Sequence, residues 1–196
     1  MPDTPSDNVP AAFAAARDSL RRASPRAELL VTEIEPPSTL APWSFALAAD
    51  VTPARHSEDS DLGTGRFVVM YDPEEPPAWG GPFRVICYAQ APLETEIGVD
   101  PFLADVAWSW LVDALDSHGA EYIFASGTAT KILSTGFGEL ESQGDGALIE
   151  LRASWTPVGD LAAHVEGWGE LLCMLAGLPP AVEGVSLLSA RRVGRE

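Results

Sequence analysis

Cysteine is scarce in this 196-residue chain, which holds only Cys87 and Cys173. A small domain held together by disulfides carries a higher density of them. The two thiols fall in segments patterned as a strand and a helix, where free cysteine behaves as a small buried hydrophobe. Two buried free thiols are therefore expected, with a single structural disulfide as the less favoured alternative. Long apolar runs are also missing. The longest on the last helical segment, Leu171 to Ala176, is far short of the roughly 20 residues that span a bilayer. The basic-then-apolar start of a secretory signal is absent too, since Asp3, Asp7 and several prolines stand there. These absences predict a soluble cytoplasmic protein with no membrane partner.

Positive charge is the next shortage. Twelve basic residues face 29 acidic ones, for a net charge of −17 and an isoelectric point near 4.3. All the basic residues except Lys131 are arginines, and the nearest thing to a cluster is Arg17, Arg21, Arg22 and Arg26 with Arg191, Arg192 and Arg195. A field of this sign repels phosphate backbones, so direct nucleic-acid binding is not expected. A basic or weakly charged protein partner suits the whole-chain field better. The apolar content (46%) and charged content (21%) are those of an ordinary globular chain, and the length suits one domain.

Catalytic and metal motifs are missing as well. His164 stands beside Glu166 with no second histidine at helical spacing. His118, just before Gly119, reads as a cation near a helix C-terminus in preference to a general base. The run His56-Ser57-Glu58-Asp59-Ser60-Asp61 lacks the spacing, central glycine and terminal glutamate of a calcium loop and reads as a solvated loop. Gly63-Thr64-Gly65-Arg66 precedes a strand, whereas a phosphate loop must precede a helix. Ser126-Gly127-Thr128 lacks the glycine-flanked serine elbow. No catalytic, cofactor-binding or metal-binding residue is assigned, and no cofactor is called for.

What is present is a regular alternation of patterns. Pro10 opens a helix to about Ala23. Strands are predicted over Ala27–Ile34, Trp43–Val51, Gly65–Tyr71 and Phe83–Gln90, the last two flanking a Pro/Gly/acidic loop. Asp100-Pro101 starts a second helix, with Leu103, Val106, Trp110, Ala114 and Leu115 as its apolar stripe and Gly119 as its left-handed stop. Strands near Glu121–Thr135 and Ala147–Thr156 follow, then a helix from Asp160 to Gly177 carrying Leu161, Val165, Trp168, Leu172 and Leu175. Consecutive strands argue for an α+β fold: an antiparallel sheet of about six strands with helices packed mainly on one face, in the order α-ββββ-α-ββ-α. Residues 10–188 form the single domain, 1–9 a disordered tail and 189–196 a basic tail.

Six tryptophans and one hydroxyl row supply the candidate surfaces. Trp108 and Trp110 diverge on their helix, so one of them covers a surface away from the core stripe. Trp79 lies in the loop Glu74–Pro82, either folded back as a plug or standing out as an anchor. Ser126, Thr128, Thr130 and Ser134 share one face of a predicted strand, either the wet side of a sheet or the lining of a groove with Arg66 and Arg84. Trp79, Arg84 and Trp108 are the candidate partner surface.

Five segments then bring a family into view: Leu40-Ala41-Pro42-Trp43-Ser44, Gly65-Arg66-Phe67-Val68, Trp79-Gly80-Gly81-Pro82-Phe83-Arg84, Val106-Ala107-Trp108-Ser109-Trp110-Leu111 and Arg152-Ala153-Ser154-Trp155-Thr156-Pro157. Over about Leu40 to Leu178 the chain resembles an uncharacterised actinobacterial family, domain of unknown function number three thousand. That resemblance implies no activity, cofactor or catalytic residue. The element order alone is similar to that of the small acidic chaperones of type III secretion. The expected function is a non-catalytic acidic protein-binding or chaperone-like module. The alternatives are a small-molecule binder or enzyme with its site between sheet and helix, or a subunit that associates through an uncovered sheet face.

Overall fold

The computed structural model describes residues 9–37, 39–52 and 62–180. The acidic loop from His56 to Asp61 and the two terminal tails, apart from Val9, lie outside the described residues. Within them the chain forms helix α1 (Ala11–Arg22), strands β1 (Leu29–Ile34), β2 (Trp43–Val51), β3 (Thr64–Tyr71) and β4 (Phe83–Leu93), a single turn α2 (Thr95–Gly98) and helix α3 (Leu103–Ser117). Strand β5 (Glu121–Ser134), a 3-10 turn (Gly138–Gln143), strand β6 (Gly146–Val158) and helix α4 (Leu161–Leu175) complete it. The six strands make one antiparallel sheet in the order β1-β2-β3-β4-β6-β5. The α+β class, the strand count and the element order all agree with the sequence pattern.

One sheet face is apolar because alternate residues of four strands are. Phe45, Ala49 and Val51, Phe67 and Val69, Val85, Cys87 and Ala89, and Ile149, Leu151 and Trp155 all point into the same core. Helix α4 lies across this face with α1 and α3 beside it. It is buried on nearly every side, from Leu161 to Leu175. Small residues make this close seating possible. Gly65 of β3 lies under α4, where an added Cβ would sit 2.8 Å from both Trp168 and Leu172 and 2.8 Å from the Tyr88 carbonyl. Gly167 lets α4 cross α3 at Leu115 and Ala114. The Trp168 indole N–H donates to the Tyr88 carbonyl at 3.1 Å, satisfying a polar atom buried in the core. The Gly63-Thr64-Gly65 run is thus a packing feature of β3.

Polar groups tie the ends of α4. The Asp160 carboxylate accepts from the Ala162 N–H at 3.2 Å and from the Ser19 hydroxyl of α1. These bonds hold its pKa below the usual carboxylate range. At the far end Arg26 reaches Glu170 at 3.3 Å, the Pro179 carbonyl at 2.7 Å and Glu28 at 2.6 Å.

Three sequence expectations need correction. The helix expected at Asp100 begins at Leu103, because Asp100 caps an earlier turn by accepting from the Phe102 N–H at 2.8 Å. The buried stripe of α3 is Leu103, Ala107, Leu111, Ala114 and Leu115, with Val106 exposed and Trp110 half-buried at its side. The helix is turned so that the small Ala107 faces the core and both tryptophans flank it. Strand β4 runs past Gln90 to Leu93, pairing Pro92 with Leu148. Gly119 does take the left-handed conformation (φ 67°) that ends the helix.

Replacing Gly65 with alanine forces a side-chain atom into the Trp168–Leu172 contact and should destabilise the fold by about 1–3 kcal/mol. Urea unfolding followed by tryptophan fluorescence measures it. An unchanged midpoint would show that α4 does not depend on this close approach.

Candidate functional site

Among the described residues the second sheet face carries no helix. Register places Ala48, Arg66, Tyr88, Arg152 and Thr128 in one row across β2, β3, β4, β6 and β5. The next row holds Ala46, Val68, Ile86, Ser154 and Ser126, and a third holds Gln90, Glu150 and Thr130. Ile86, Ser126, Gly127, Thr128, Arg152, Ala153 and Ser154 line a shallow open groove of about 380 Å³ along β4, β6 and β5.

Arg84 lies at one end of that groove and is 9% exposed. Its Nε donates to the Ser154 hydroxyl at 2.6 Å and its Nη1 to the Thr156 hydroxyl at 3.0 Å. Among the described residues no carboxylate is paired with it, and burial alone holds its pKa below the usual arginine value. It remains a cation, since arginine stays protonated in proteins. The Thr156 hydroxyl in turn donates to the Trp79 carbonyl.

This chain of bonds explains the loop between β3 and β4. Trp79 is half-buried and packs with Ile34, Ala41 and Ile86 around Ala46, Val68 and Met70, the small apolar patch of the open face. It therefore folds back as a plug. Gly80 (φ 71°) meets the ring of Phe124, where a Cβ would lie 2.4 Å from Cε2. Phe124 is itself left-handed (φ 54°) in a β-bulge between Ile123 and Ser126. The bulge offsets the two halves of β5 and aims Phe124 at the loop.

The structure thus brings Trp79 and Arg84 together on the open face and separates Trp108 from them. Trp108 lies on the helix side, its ring against Gly127 of β5. Ser126, Thr128 and Thr130 do share the open face, and the first two line the groove with Arg152 and Ser154. Arg152 and Ser154 alternate along β6 with the buried Leu151, Ala153 and Trp155. Nothing in the sequence marks the bulge that positions Phe124, because phenylalanine rarely adopts positive φ.

Between the sheet and α4, Phe67 meets Trp155 and Trp168, with ring centroids 6.2 and 5.5 Å apart. There the core is filled by aromatic rings. His164 is fully buried, and its Nδ1 accepts from the Trp155 indole N–H at 3.0 Å. Burial pushes its pKa down to about 4, with the Val158 carbonyl and Asp160 acting the other way. His118 ends α3 with Nδ1 3.7 Å from Glu166. Cys87 and Cys173 are free and buried, and burial pushes both thiols up to about 12. Among the described residues no His, Cys, Asp and Glu side chains cluster as a metal site would require. No helix among them is long and apolar enough to cross a membrane.

The architecture defines the class: an α+β domain built on one antiparallel sheet, helix-covered on one face and grooved on the other. The particular family follows from the sequence. The model described as protein of unknown function (DUF3000) matches residues 9–186, and the chain belongs to that family. No curated protein and no solved structure matches it.

Two measurements check the buried groups. The unfolded chain protonates His164 near pH 6.5 and the folded chain only near 4, so the unfolded state binds more protons between these values. Stability should therefore fall as pH drops through that window, by about 3 kcal/mol in all. His164→Gln should flatten this slope in urea unfolding series, and an unaltered slope would assign it to other groups. Iodoacetamide at pH 8 should leave both cysteines unlabelled in the native protein and label both in urea. Native labelling of either one would contradict its burial.

Proposed function

We propose that the protein is a protein-binding module that receives an extended partner segment on its open sheet face and along β5. The observation that carries this reading is the outer edge of β5. Among the described residues strand β5 stands last in the sheet and pairs only with β6. From Ser126 to Ser134 it has no proline and one charged residue, Lys131. Natural edge strands are normally protected by charge, proline, brevity or a covering element. The opposite edge follows that habit: β1 is six residues long, carries Glu33 and is followed by Pro36 and Pro37. Strand β5 has a bulge between Ile123 and Ser126, but its stretch from Ser126 to Ser134 is regularly paired, with Lys131 as its single charge, and carries the exposed Ile132 and Leu133. Addition of a strand from a partner satisfies such an edge through main-chain bonds, with side-chain specificity from the adjoining face.

The alternation of wet and buried residues suits a groove that is open along its length. A small-molecule site is normally more enclosed. Trp79 and Arg84 form one end of the proposed surface, and Trp108 supports β5 from behind.

The test is affinity capture at moderate salt with wild type, Trp79→Ala and Ile132→Glu, each first shown to be folded by circular dichroism. A stoichiometric protein should be retained by wild type and lost from Ile132→Glu. Adding it should slow hydrogen exchange at alternate amides of β5. Capture unaffected by Ile132→Glu, or with β5 exchange unchanged, would place the partner elsewhere.

A further inference from the structure

We propose, resting on the protein-binding reading above, that the groove along β4, β6 and β5 takes an acidic extended segment, with a carboxylate held against Ser126, Ser154 and Arg152. The whole chain is strongly negative, yet the centre of this face is not. Arg66, Arg84 and Arg152 stand on three neighbouring strands, β3, β4 and β6. Glu150 lies among them, and it is already engaged by Arg152 at 2.8 Å and by the Tyr88 hydroxyl at 3.1 Å. Asp50 and Glu121 stand at the margins, one at the end of β2 and one at the start of β5.

The polar groups facing the groove are arranged to donate. Ser154 accepts from the buried Arg84 guanidinium at 2.6 Å, so its own hydroxyl proton is directed to another acceptor. Ser126 lies directly opposite Ser154, and Thr128 directly opposite Arg152, in the β5–β6 register. Arg152 stacks over the Tyr88 ring at 5.6 Å and is two-thirds exposed, with its side-chain exposure at 66%. A buried cation with no carboxylate beside it is costly, and an incoming anion offsets that cost. A lysine in the same place would meet Arg84 and Arg152 instead. Hydrogen bonds between hydroxyl or guanidinium donors and a carboxylate are about twice as strong as neutral ones.

The test uses the full-length protein and three short synthetic peptides alternating threonine with glutamate, glutamine or lysine, followed by amide NMR shifts. The glutamate peptide should shift Ser126, Thr128, Arg152 and Ser154 saturably and bind about tenfold or more tighter than the glutamine peptide. Ser154→Ala and Arg152→Gln should each weaken the glutamate peptide by about tenfold and weaken the glutamine peptide less, narrowing the gap between the two. Arg84→Met removes the buried charge more directly, and Ser154→Ala keeps the test valid where that variant loses the Trp79 loop. Equal binding of the glutamate and glutamine peptides at these residues would overturn the acidic preference and leave the protein-binding reading standing. Groove shifts that are larger with the lysine peptide would reverse the sign and overturn it too. No shift in β5 or β6 with any peptide would overturn this inference together with the groove's role in the proposed function.

Discussion

The contact between α4 and the sheet is the constraint on which the rest of the molecule depends. Trp168 and Leu172 occupy the space that Gly65 leaves open, and Trp168 bonds to the Tyr88 carbonyl of the neighbouring strand. Because α4 sits this low, it can be covered in turn by α1 and α3, through Ser19 and Asp160 at one end and Gly167 against α3 farther along. All the long helices are thereby gathered on one side. Among the described residues the other face of the sheet carries hydroxyls, arginines and the folded Trp79 loop.

That division sets the chemistry of the open face. A helix there would have required an apolar surface, and β4, β5 and β6 offer Arg84, Ser126, Thr128, Arg152 and Ser154 instead. The Trp79 loop covers only the apolar corner made by Ala46, Val68 and Met70. Its attachment runs through Thr156 to the buried Arg84, so the same guanidinium that holds the plug also polarises the groove. The potentially reactive groups point the other way. Cys87 lies in the apolar core, Cys173 is buried within α4, and His164 is held neutral against Trp155. Among the described residues the polar side chains of the groove on the open face are hydroxyls and arginine guanidinium groups.

Much of the fold was legible because apolar periodicity is a local signal. Strand β6 alternates without interruption, and α4 shows its stripe from Leu161 to Leu175. Where several apolar residues compete, periodicity does not choose among them. On α3 the stripe through Val106 and Trp110 is as regular as the one through Ala107 and Leu111. The small Ala107 faces the core, and α3 meets α4 farther along, at Ala114 and Leu115 against Gly167. The short turns α2 and Gly138–Gln143 contain too few residues to show a period. Of the candidate surface, Trp79 and Arg84 do lie together, whereas Trp108 belongs to the opposite side of β5.

Composition and periodicity by themselves determined an acidic α+β domain with one antiparallel sheet and helices packed mainly on one face. They reach that far because each strand and helix declares its buried face through its own residues. The strand order, the place of β5 at the edge of the described sheet and the burial of Arg84 against Ser154 and Thr156 were decided only by tertiary structure. Each depends on which strand lies beside which, and residues distant in the chain, such as Arg84 with Ser154 or Gly80 with Phe124, meet only after the sheet has formed.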